Sequence, residues 1–472
     1  MAWIPGFELA LEPQSIAIVG VSRSDRQEHF GTSGLSIMRA LREAGYKGAV
    51  YPINPKADEI DGTKAFPALS ALPEKADLVI VAVPAAVVPQ VLEDCIKAGM
   101  LNVEVCSSGF AETGERKGRI LEEKVRQIVR RSGLRLLGPN CMGIQVPRLG
   151  ITTFNRAKLV TGPVGFLSQS GGHAERFLKY GPKVGVGFSK IISFGNAAGL
   201  DVIDLLEYMG SDKDTKIICL YMEGAPRGNM LVRMVRKVNR IKPVVVWKGG
   251  LTDFGARAAA SHTGSLAGNS RMWDAFFKQT GAVRVSSIEE MAEVCAAFIN
   301  LPPPSGNRAV VISGSGGNNV AAGDICAEEG IQLLPLSNKL KRALSQFISF
   351  VNQGLTNPLE AASMFSSLAQ MREAMALFNK EPSIDIVIVS LLMAHMDKEG
   401  TIDKILDTLA GISKEKDLRK LLVVTLSDSV TEDAFQYWQK IRKTGILWYP
   451  TLRQTCRAVS KYVAYHEFLK KM

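Results

Sequence analysis

Short apolar runs that end in glycine, proline, serine or asparagine recur along the whole chain. Between them lie segments in which apolar positions return every three or four residues. In the first third the runs fall at 15–21, 49–53, 78–83, 102–106 and 135–137, with helical spacing at 36–44 and 87–98. Short strands alternating with amphipathic helices predict a doubly wound parallel sheet. A second series lies at 165–167, 190–193, 217–221 and 244–248, and a third at 309–312, 384–391 and 421–426. The stretch Leu301-Pro302-Pro303-Pro304-Ser305-Gly306-Asn307 reads as a linker, because proline fixes extended geometry and removes donors. The pattern predicts an α/β protein with three Rossmann/flavodoxin-like parallel-sheet domains at 1–147, 148–302 and 303–472.

Composition narrows the class without changing the fold. With 472 residues, 46% hydrophobic and 22% charged, the chain suits several domains with substantial cores. No apolar run reaches membrane-spanning length, and Met1-Ala2-Trp3-Ile4-Pro5 lacks a charged start followed by an apolar segment, so the expectation is a cytoplasmic protein off the membrane. Seven scattered cysteines without CxxC or metal-ligand spacing predict reduced thiols and no metal site. The net charge of +11 is spread out, with no zinc-finger spacing or aromatic RNA-binding strand, so nucleic acid is not expected as a partner. The densest basic run, 233–242, has the spacing of one solvated helix face. Multiply charged ligands suffice to explain part of the excess.

Candidate chemistry concentrates at three places. His262 sits in Ala258-Ala259-Ala260-Ser261-His262-Thr263-Gly264-Ser265, where small neighbours let a ring nitrogen be approached closely. Two other segments each read as an apolar strand, a Gly/Ser turn and a helix: one through Ser168, Gln169, Ser170, Gly171 and Gly172, the other through Ser315, Gly316 and Gly317. A glycine-rich turn at a helix start presents unpaired N–H groups and the positive dipole end, which seats a phosphate. Two seats and a mobile histidine predict a phosphoryl relay. Glu223 ends the apolar run 217–222 and so lies at the ligand edge of its sheet, where a hydrogen bond to one imidazole nitrogen would fix the tautomer. Lys248 and Arg257 flank the histidine segment and read equally as phosphate ligands or surface cations.

The first run poses a cofactor question. After Gly20 the dinucleotide pattern GxGxxG fails at Ser22 and Asp25, and Arg23 and Arg26 follow instead. The second run leads into Asn54-Pro55-Lys56, where an NAD enzyme would place an acid. Basic groups there favour a phosphorylated ribose, as in CoA or NADP.

Seven motifs in order carry a resemblance: Ile18-Val19-Gly20-Val21-Ser22-Arg23, Tyr51-Pro52-Ile53-Asn54-Pro55-Lys56, Ser108-Gly109-Phe110-Ala111-Glu112, Gly138-Pro139-Asn140-Cys141-Met142-Gly143, Ser168-Gln169-Ser170-Gly171, Tyr221-Met222-Glu223-Gly224 and Ser261-His262-Thr263-Gly264. With these the chain resembles the α subunit of the ADP-forming (NDP-forming) acyl-CoA synthetases, relatives of succinyl-CoA synthetase. The resemblance implies a phosphohistidine at His262, steadied by Glu223. It also implies CoA held by Gly20, Val21, Ser22, Arg23, Lys56, Val83, Pro84, Ser107, Ser108, Gly109 and Asn140. Cys141 would lie near the thiol end or pack behind its turn. Departures occur at His173, Glu175 and Arg176 beside the first turn, so the acyl specificity of acetate enzymes does not carry over. Asn318-Asn319 and Glu360 depart in the third domain. No ATP-grasp region is found, which implies a separate ATP-grasp β subunit in a hetero-oligomer, α2β2, carrying ATP/ADP and Mg2+. The implied reaction joins a carboxylic acid, CoA and ATP to acyl-CoA, ADP and phosphate. A CoA-sensing scaffold of the same descent is the alternative, and an NADP-linked oxidoreductase is disfavoured by the broken fingerprint.

Overall fold

The computed structural model describes residues 5–22, 33–154, 158–225, 227–252, 254–255, 270–348, 355–391, 401–426 and 434–472, without the side chains of 434–437. The chain divides into two compact units, Met1–Ala292 and Glu293–Met472. Two sheets lie in the first unit. Sheet one runs β2-β1-β5-β6-β7, all parallel, from β1 (Ser15–Val19), β2 (Ala49–Ile53), β5 (Leu78–Val81), β6 (Asn102–Val105) and β7 (Arg135–Leu137). A small antiparallel hairpin, β3 (Glu59–Ile60) and β4 (Thr63–Lys64), follows β2.

Sheet two runs β13-β12-β11-β9-β10-β8. Its strands are β8 (Gly143–Gln145), β9 (Thr161–Ser168), β10 (Phe188–Ser193), β11 (Ile217–Met222), β12 (Val244–Lys248) and β13 (Val283–Val285), with β8 antiparallel and the rest parallel. The second unit holds β15-β14-β16-β17-β18, all parallel, from β14 (Ala309–Ser313), β15 (Leu359–Glu360), β16 (Ile386–Leu391), β17 (Leu421–Leu426) and β18 (Trp448–Tyr449). Side chains of β1, β5, β6, β11, β14, β16 and β17 are buried throughout, as expected of strands covered on both faces.

One winding recurs three times. Setting aside the hairpin and the antiparallel edge strand, each sheet begins at an inner strand, steps outward on one side, then crosses back and builds the other. The reversal falls between β1 and β5, between β9 and β11, and between β14 and β16. Ligands of open α/β sheets bind outside the carboxyl ends of the strands at this reversal. The turns singled out at Gly20, Ser168 and Ser313 leave the three strands that border it.

The stretch 301–307 lacks regular structure, as its prolines predict. The boundary between the units comes earlier, inside the helix Ile288–Asn300. The later half of that helix belongs to the second unit: Glu293 accepts from Gln454 (2.6 Å) and Arg457 (2.7 Å), and Phe298 packs edge-on against Tyr462. The basic run lies largely on the helix Gly228–Asn239. That helix buries Leu231, Val235 and Val238 and exposes Arg233, Arg236 and Lys237, the solvated face predicted.

Candidate functional site

At the first reversal, β1 is followed by Gly20, whose φ of +98° suits only glycine. A Cβ there would collide with the backbone carbonyl of Ala82 and reach within 2.8 Å of Val83 Cγ1. The close approach lets the chain turn over the end of β5 and opens a cleft of about 630 Å³. Gly20, Val21 and Ser22 form one wall, Asn54 and Pro55 another, Val83 and Pro84 a third. Asn54 fixes the corner: its Nδ2 donates to Val21 O (2.6 Å) and its Oδ1 accepts from Lys56 N (2.8 Å). Lys56 itself is exposed and is not among the lining residues.

The cleft continues where sequence reasoning did not look. Val87, Val91, Asp94 and Ala98 follow one another at helical spacing along the helix Val88–Ala98 and its entry, and with Lys97 and the loop Pro67–Ser70 they close the far side. That spacing was a signal, but it also describes a core-facing stripe.

Ser107, Gly109 and Asn140 form the neighbouring edge. Ser107 Oγ donates to Val83 O (2.5 Å), and Asn140 N donates to Ser107 O (2.9 Å). Asn140 has φ of +57°, and its Nδ2 donates to Asn196 Oδ1 (3.2 Å). Asn196 in turn donates to Glu112 (2.6 Å) and Glu122 (2.8 Å), so this edge is clamped between sheets one and two. Glu112 also accepts from Gly109 N (2.6 Å), which fixes the turn beside exposed Ser108. Behind it, fully buried Glu104 accepts from Ile144 N (3.1 Å) and Cys106 Sγ (3.4 Å), and burial pushes its carboxyl up to about 7. Cys141 is buried with its thiol on Val105 O (3.3 Å), packed behind the turn.

At the second reversal, buried Ser168 braces its own turn. Its Oγ donates to Ser170 O (2.6 Å) and accepts from Ser170 N (3.2 Å). Ser170 caps the helix Gly171–Tyr180 by accepting from His173 N (3.4 Å). The amides of Gly171 and Gly172 therefore stand at an open helix start, with the positive end of the dipole behind them. Met142 packs where a Gly171 Cβ would be, whereas a Gly172 Cβ would meet no described atom nearer than Ser170 Oγ at 3.9 Å. The first glycine serves packing, and the second leaves room over the turn.

Glu223 follows β11 beside this turn. It is buried, its N donates to Gln169 Oε1 (2.8 Å), and its Oε1 accepts from Tyr221 OH (3.1 Å). Lys248, the last residue of β12, is paired in register with Met222. Its amine is buried, donates to Gly249 O and lies 5.1 Å from the centre of the Trp273 ring. Burial lowers its pKa to about 8, against a weaker opposing pull from Glu223. His173, Tyr221 and Trp247 pack ring against ring at 4.4, 4.5 and 4.8 Å. This trio needed the adjacency of β11 and β12, which no local pattern reveals. His262, Arg23 and Arg257 lie outside the described residues.

The turn after β14 is braced by a serine like the turn after β9, but Ser315 makes no capping bond of the kind Ser170 makes. Ser313 Oγ donates to Asn319 Oδ1 (2.7 Å), stands 3.1 Å from Ser315 O and accepts from Ser315 N (3.3 Å), and Gly316 starts the helix Gly316–Glu328. It differs in its surroundings, because Glu360 Oε2 stands 3.0 Å from where a Gly316 Cβ would be. A carboxylate at a helix start already answers the dipole that a phosphate would use. Among the described residues no group of three or more His, Cys, Asp or Glu side chains is placed to hold a metal, and no helix is long and apolar enough to cross a membrane.

Residues 14–147 match the CoA binding domain family, and residues 161–298 match the Succinyl-CoA ligase like flavodoxin domain family. The α subunit of acetate–CoA ligase [ADP-forming] I from Pyrococcus furiosus is 32% identical over 96% of both chains. The chain belongs to the ADP-forming acyl-CoA synthetases, on the α-subunit side. Acetate–CoA ligase [ADP-forming] I of Archaeoglobus fulgidus is 36% identical over 82% of this chain and 55% of that one. Among solved structures, the dinucleotide forming acetyl-coenzyme A synthetase 1 of Ca. Korarchaeum cryptofilum, in complex with phosphate and ADP, is 32% identical, with 98% of each chain covered and a TM-score of 0.84. The sequence resemblance is thus borne out at the level of family, fold and ligase class. The first reversal and its cleft lie within the residues that match the CoA binding domain, and the second reversal lies within those that match the flavodoxin domain.

Proposed function

We propose that this chain, with a separate ATP-grasp β subunit, interconverts acyl-CoA, phosphate and ADP with free acid, CoA and ATP by way of an acyl phosphate and a phosphohistidine at His262. The observation that carries the reading is the order of three strand ends: the phosphate-type turn after β9, Glu223 after β11, and β12 leading into the segment that holds His262. CoA lies in the cleft of Gly20, Val21, Ser22, Val83 and Pro84, with Arg23 and Lys56 at its phosphorylated end and Ser107, Ser108, Gly109 and Asn140 towards its thiol. A phosphate oxygen seated on the amides of Gly171 and Gly172 attacks the thioester carbonyl. The C–O bond forms, the C–S bond breaks, and CoA leaves as thiolate and takes a proton. An imidazole nitrogen of His262 then attacks phosphorus, and the acid departs as carboxylate. Finally an ADP oxygen takes the phosphoryl group as the P–N bond breaks. Each intermediate has high transfer potential, so no single step carries the whole barrier. Glu223, held by Gln169 N-terminal to the helix and by Tyr221, orients the imidazole.

The accompanying assignments are a CoA-binding domain at 1–147, a ligase-like domain with the histidine at 148–302 and a second ligase-like domain at 303–472. The partner carries ATP/ADP and Mg2+ in an α2β2 assembly in the cytoplasm. The relatives named above act on acetate, and the acid used by this chain is the variable to be scanned. The test is reconstitution with the cognate ATP-grasp subunit, measuring ADP release against a panel of acids with CoA present. Acid- and CoA-dependent release only from the mixture supports the reading. Release from this chain alone refutes the split of labour, and CoA binding without turnover for any acid favours the scaffold.

A further inference from the structure

We propose that Met142 is a positioning residue of the reaction: wedged beneath Gly171, it fixes the phosphate turn after β9 at a set distance from the CoA thiol edge at Ser107 and Asn140. The inference rests on the acyl-phosphate reading and adds to it a residue that acts through the turn.

The contact is with Gly171 itself. A Cβ there would overlap Met142 Cγ and lie 3.4 Å from its Cβ and 3.7 Å from its Sδ. Three successive side-chain atoms therefore run past one point of the turn, a path that an unbranched chain can follow. Gly171 opens the helix Gly171–Tyr180 without a positive φ, so the missing side chain answers to the methionine rather than to backbone conformation. On its other side the turn is open, since a Cβ at Gly172 would meet no described atom nearer than Ser170 Oγ at 3.9 Å. The support comes from Met142 alone of the atoms that a Gly171 Cβ would meet.

The backbone of Met142 cannot drift. Its N donates to Ser193 Oγ (3.2 Å), and its O accepts from Gln145 Nε2 (2.8 Å) and Thr153 Oγ1 (2.7 Å). Ser193 ends β10 in register with Ser168, the residue that braces the turn, and Phe194 N donates to Ser168 O (3.0 Å). Turn and methionine thus hang from the same pair of strands. Two residues earlier, Asn140 N donates to Ser107 O (2.9 Å), and between them Cys141 Sγ donates to Val105 O (3.3 Å) at the end of β6. The loop after β10 presses on this segment: Asn196 N donates to Pro139 O (3.0 Å), and a Cβ at Gly195 would overlap the carbonyl oxygens of Pro139 and Asn140. From Asn140 to Met142 the chain spans at most about 7 Å. One short strap therefore joins the edge assigned to the thioester with the turn assigned to phosphate.

The consequence is kinetic. In the first step a phosphate oxygen bonds the thioester carbonyl carbon while the C–S bond breaks and CoA leaves as thiolate, so both reactants must be held in register at once. A misplacement of about 1 Å costs about a hundredfold in rate. Met142→Ala removes the atoms beyond Cβ and leaves Gly171 without its support, while the cleft beside Gly20 keeps its lining, in which Met142 has no part.

The test uses the full chain with its cognate ATP-grasp subunit. It measures first-turnover release of CoA thiol from the acyl-CoA forms of the acid panel, with and without inorganic phosphate, beside CoA affinity by calorimetry. Met142→Ala is expected to slow phosphate-dependent release by about ten- to hundredfold with CoA affinity unchanged. Met142→Leu, near in volume, is expected to keep most of the rate. Gly171→Ala alone brings its methyl onto Met142 and is expected to slow release as well. Combined with Met142→Ala that methyl finds vacated space, so the double variant should be about tenfold faster than the two single losses multiplied together predict. This rescue separates positioning from a general loss of stability, and it decides the case where Met142→Ala alone weakens the fold. Release from Met142→Ala as fast as from the parent, or losses that simply multiply in the double variant, overturns the proposal alone. A parent without phosphate-dependent release for any acyl-CoA of the panel refutes the acyl-phosphate reading and this inference with it.

Discussion

Gly20→Ala should damage the chain far more than the same change at Gly62, although both glycines have positive φ. Gly62, at +73° in the β3–β4 turn, has no described atom within 4 Å of the position a Cβ would take, so alanine there meets only backbone strain of about 1–2 kcal/mol. At Gly20 the backbone strain, about 1–3 kcal/mol, is joined by a collision with Ala82 O. That carbonyl cannot retreat cheaply. Ala82 N is bonded to Val19 O at 2.9 Å and Gly20 N to Ile53 O at 3.3 Å, so the three strands would have to part together. Overpacking of this kind adds about 1–3 kcal/mol. A total of about 4 kcal/mol corresponds to a fall in Tm of about 10 °C, against about 3 °C for Gly62→Ala. Because the same turn lines the cleft, CoA affinity should fall by at least about tenfold in Gly20→Ala, since about 1.4 kcal/mol of misfit suffices. Scanning calorimetry and CoA titration of the two variants decide the matter. Equal Tm losses, or unchanged CoA affinity in a folded Gly20→Ala, would refute the reasoning from close approach.

Two other predictions concern charge. Lys56→Glu should weaken CoA binding by more than about tenfold at low salt and less at high salt, because an exposed cation acts through a screened field; calorimetry at two ionic strengths checks both. Glu104 is protonated preferentially in the folded chain, with its carboxyl raised to about 7, so its favourable contribution is complete below the unfolded value near 4.5 and is lost as pH rises through 7. Glu104→Gln should therefore flatten the stability profile between those limits and be more stable than the parent at pH 8, by about 3 kcal/mol in denaturant titrations; a parallel profile for both proteins would contradict this.

The strands that define the fold were legible because burial on both faces leaves an uninterrupted apolar run. The runs at 49–53, 135–137, 244–248 and 421–426 coincide with β2, β7, β12 and β17. The strands that escaped, β3, β4, β8, β13, β15 and β18, are two or three residues long, too short for any periodicity to register. The first two ligand edges were legible through glycine, whose positions at 20, 171 and 172 follow from a positive φ, a packed Met142 and open space. What stayed hidden depends on which strands become neighbours. The ring cluster of His173, Tyr221 and Trp247 and the burial of Lys248 arise only when β9, β11 and β12 lie side by side. Lys97 and Ser70 reach the cleft beside Gly20 only because the helix Val88–Ala98 folds back over β5. Glu360 beside Gly316 is likewise a consequence of β15 pairing with β14.

The relay is tested most directly by labelling the full chain with ³²P-phosphate and acyl-CoA in the absence of ATP, then mapping the label. The account predicts an acid-labile, alkali-stable phosphoramidate at His262, absent from His262→Ala. In Glu223→Gln it should form about 10²-fold more slowly, the scale of a positioned acid–base partner. Label that persists in His262→Ala, or that maps to His173, would contradict the account and move the nucleophile to the turn after β9.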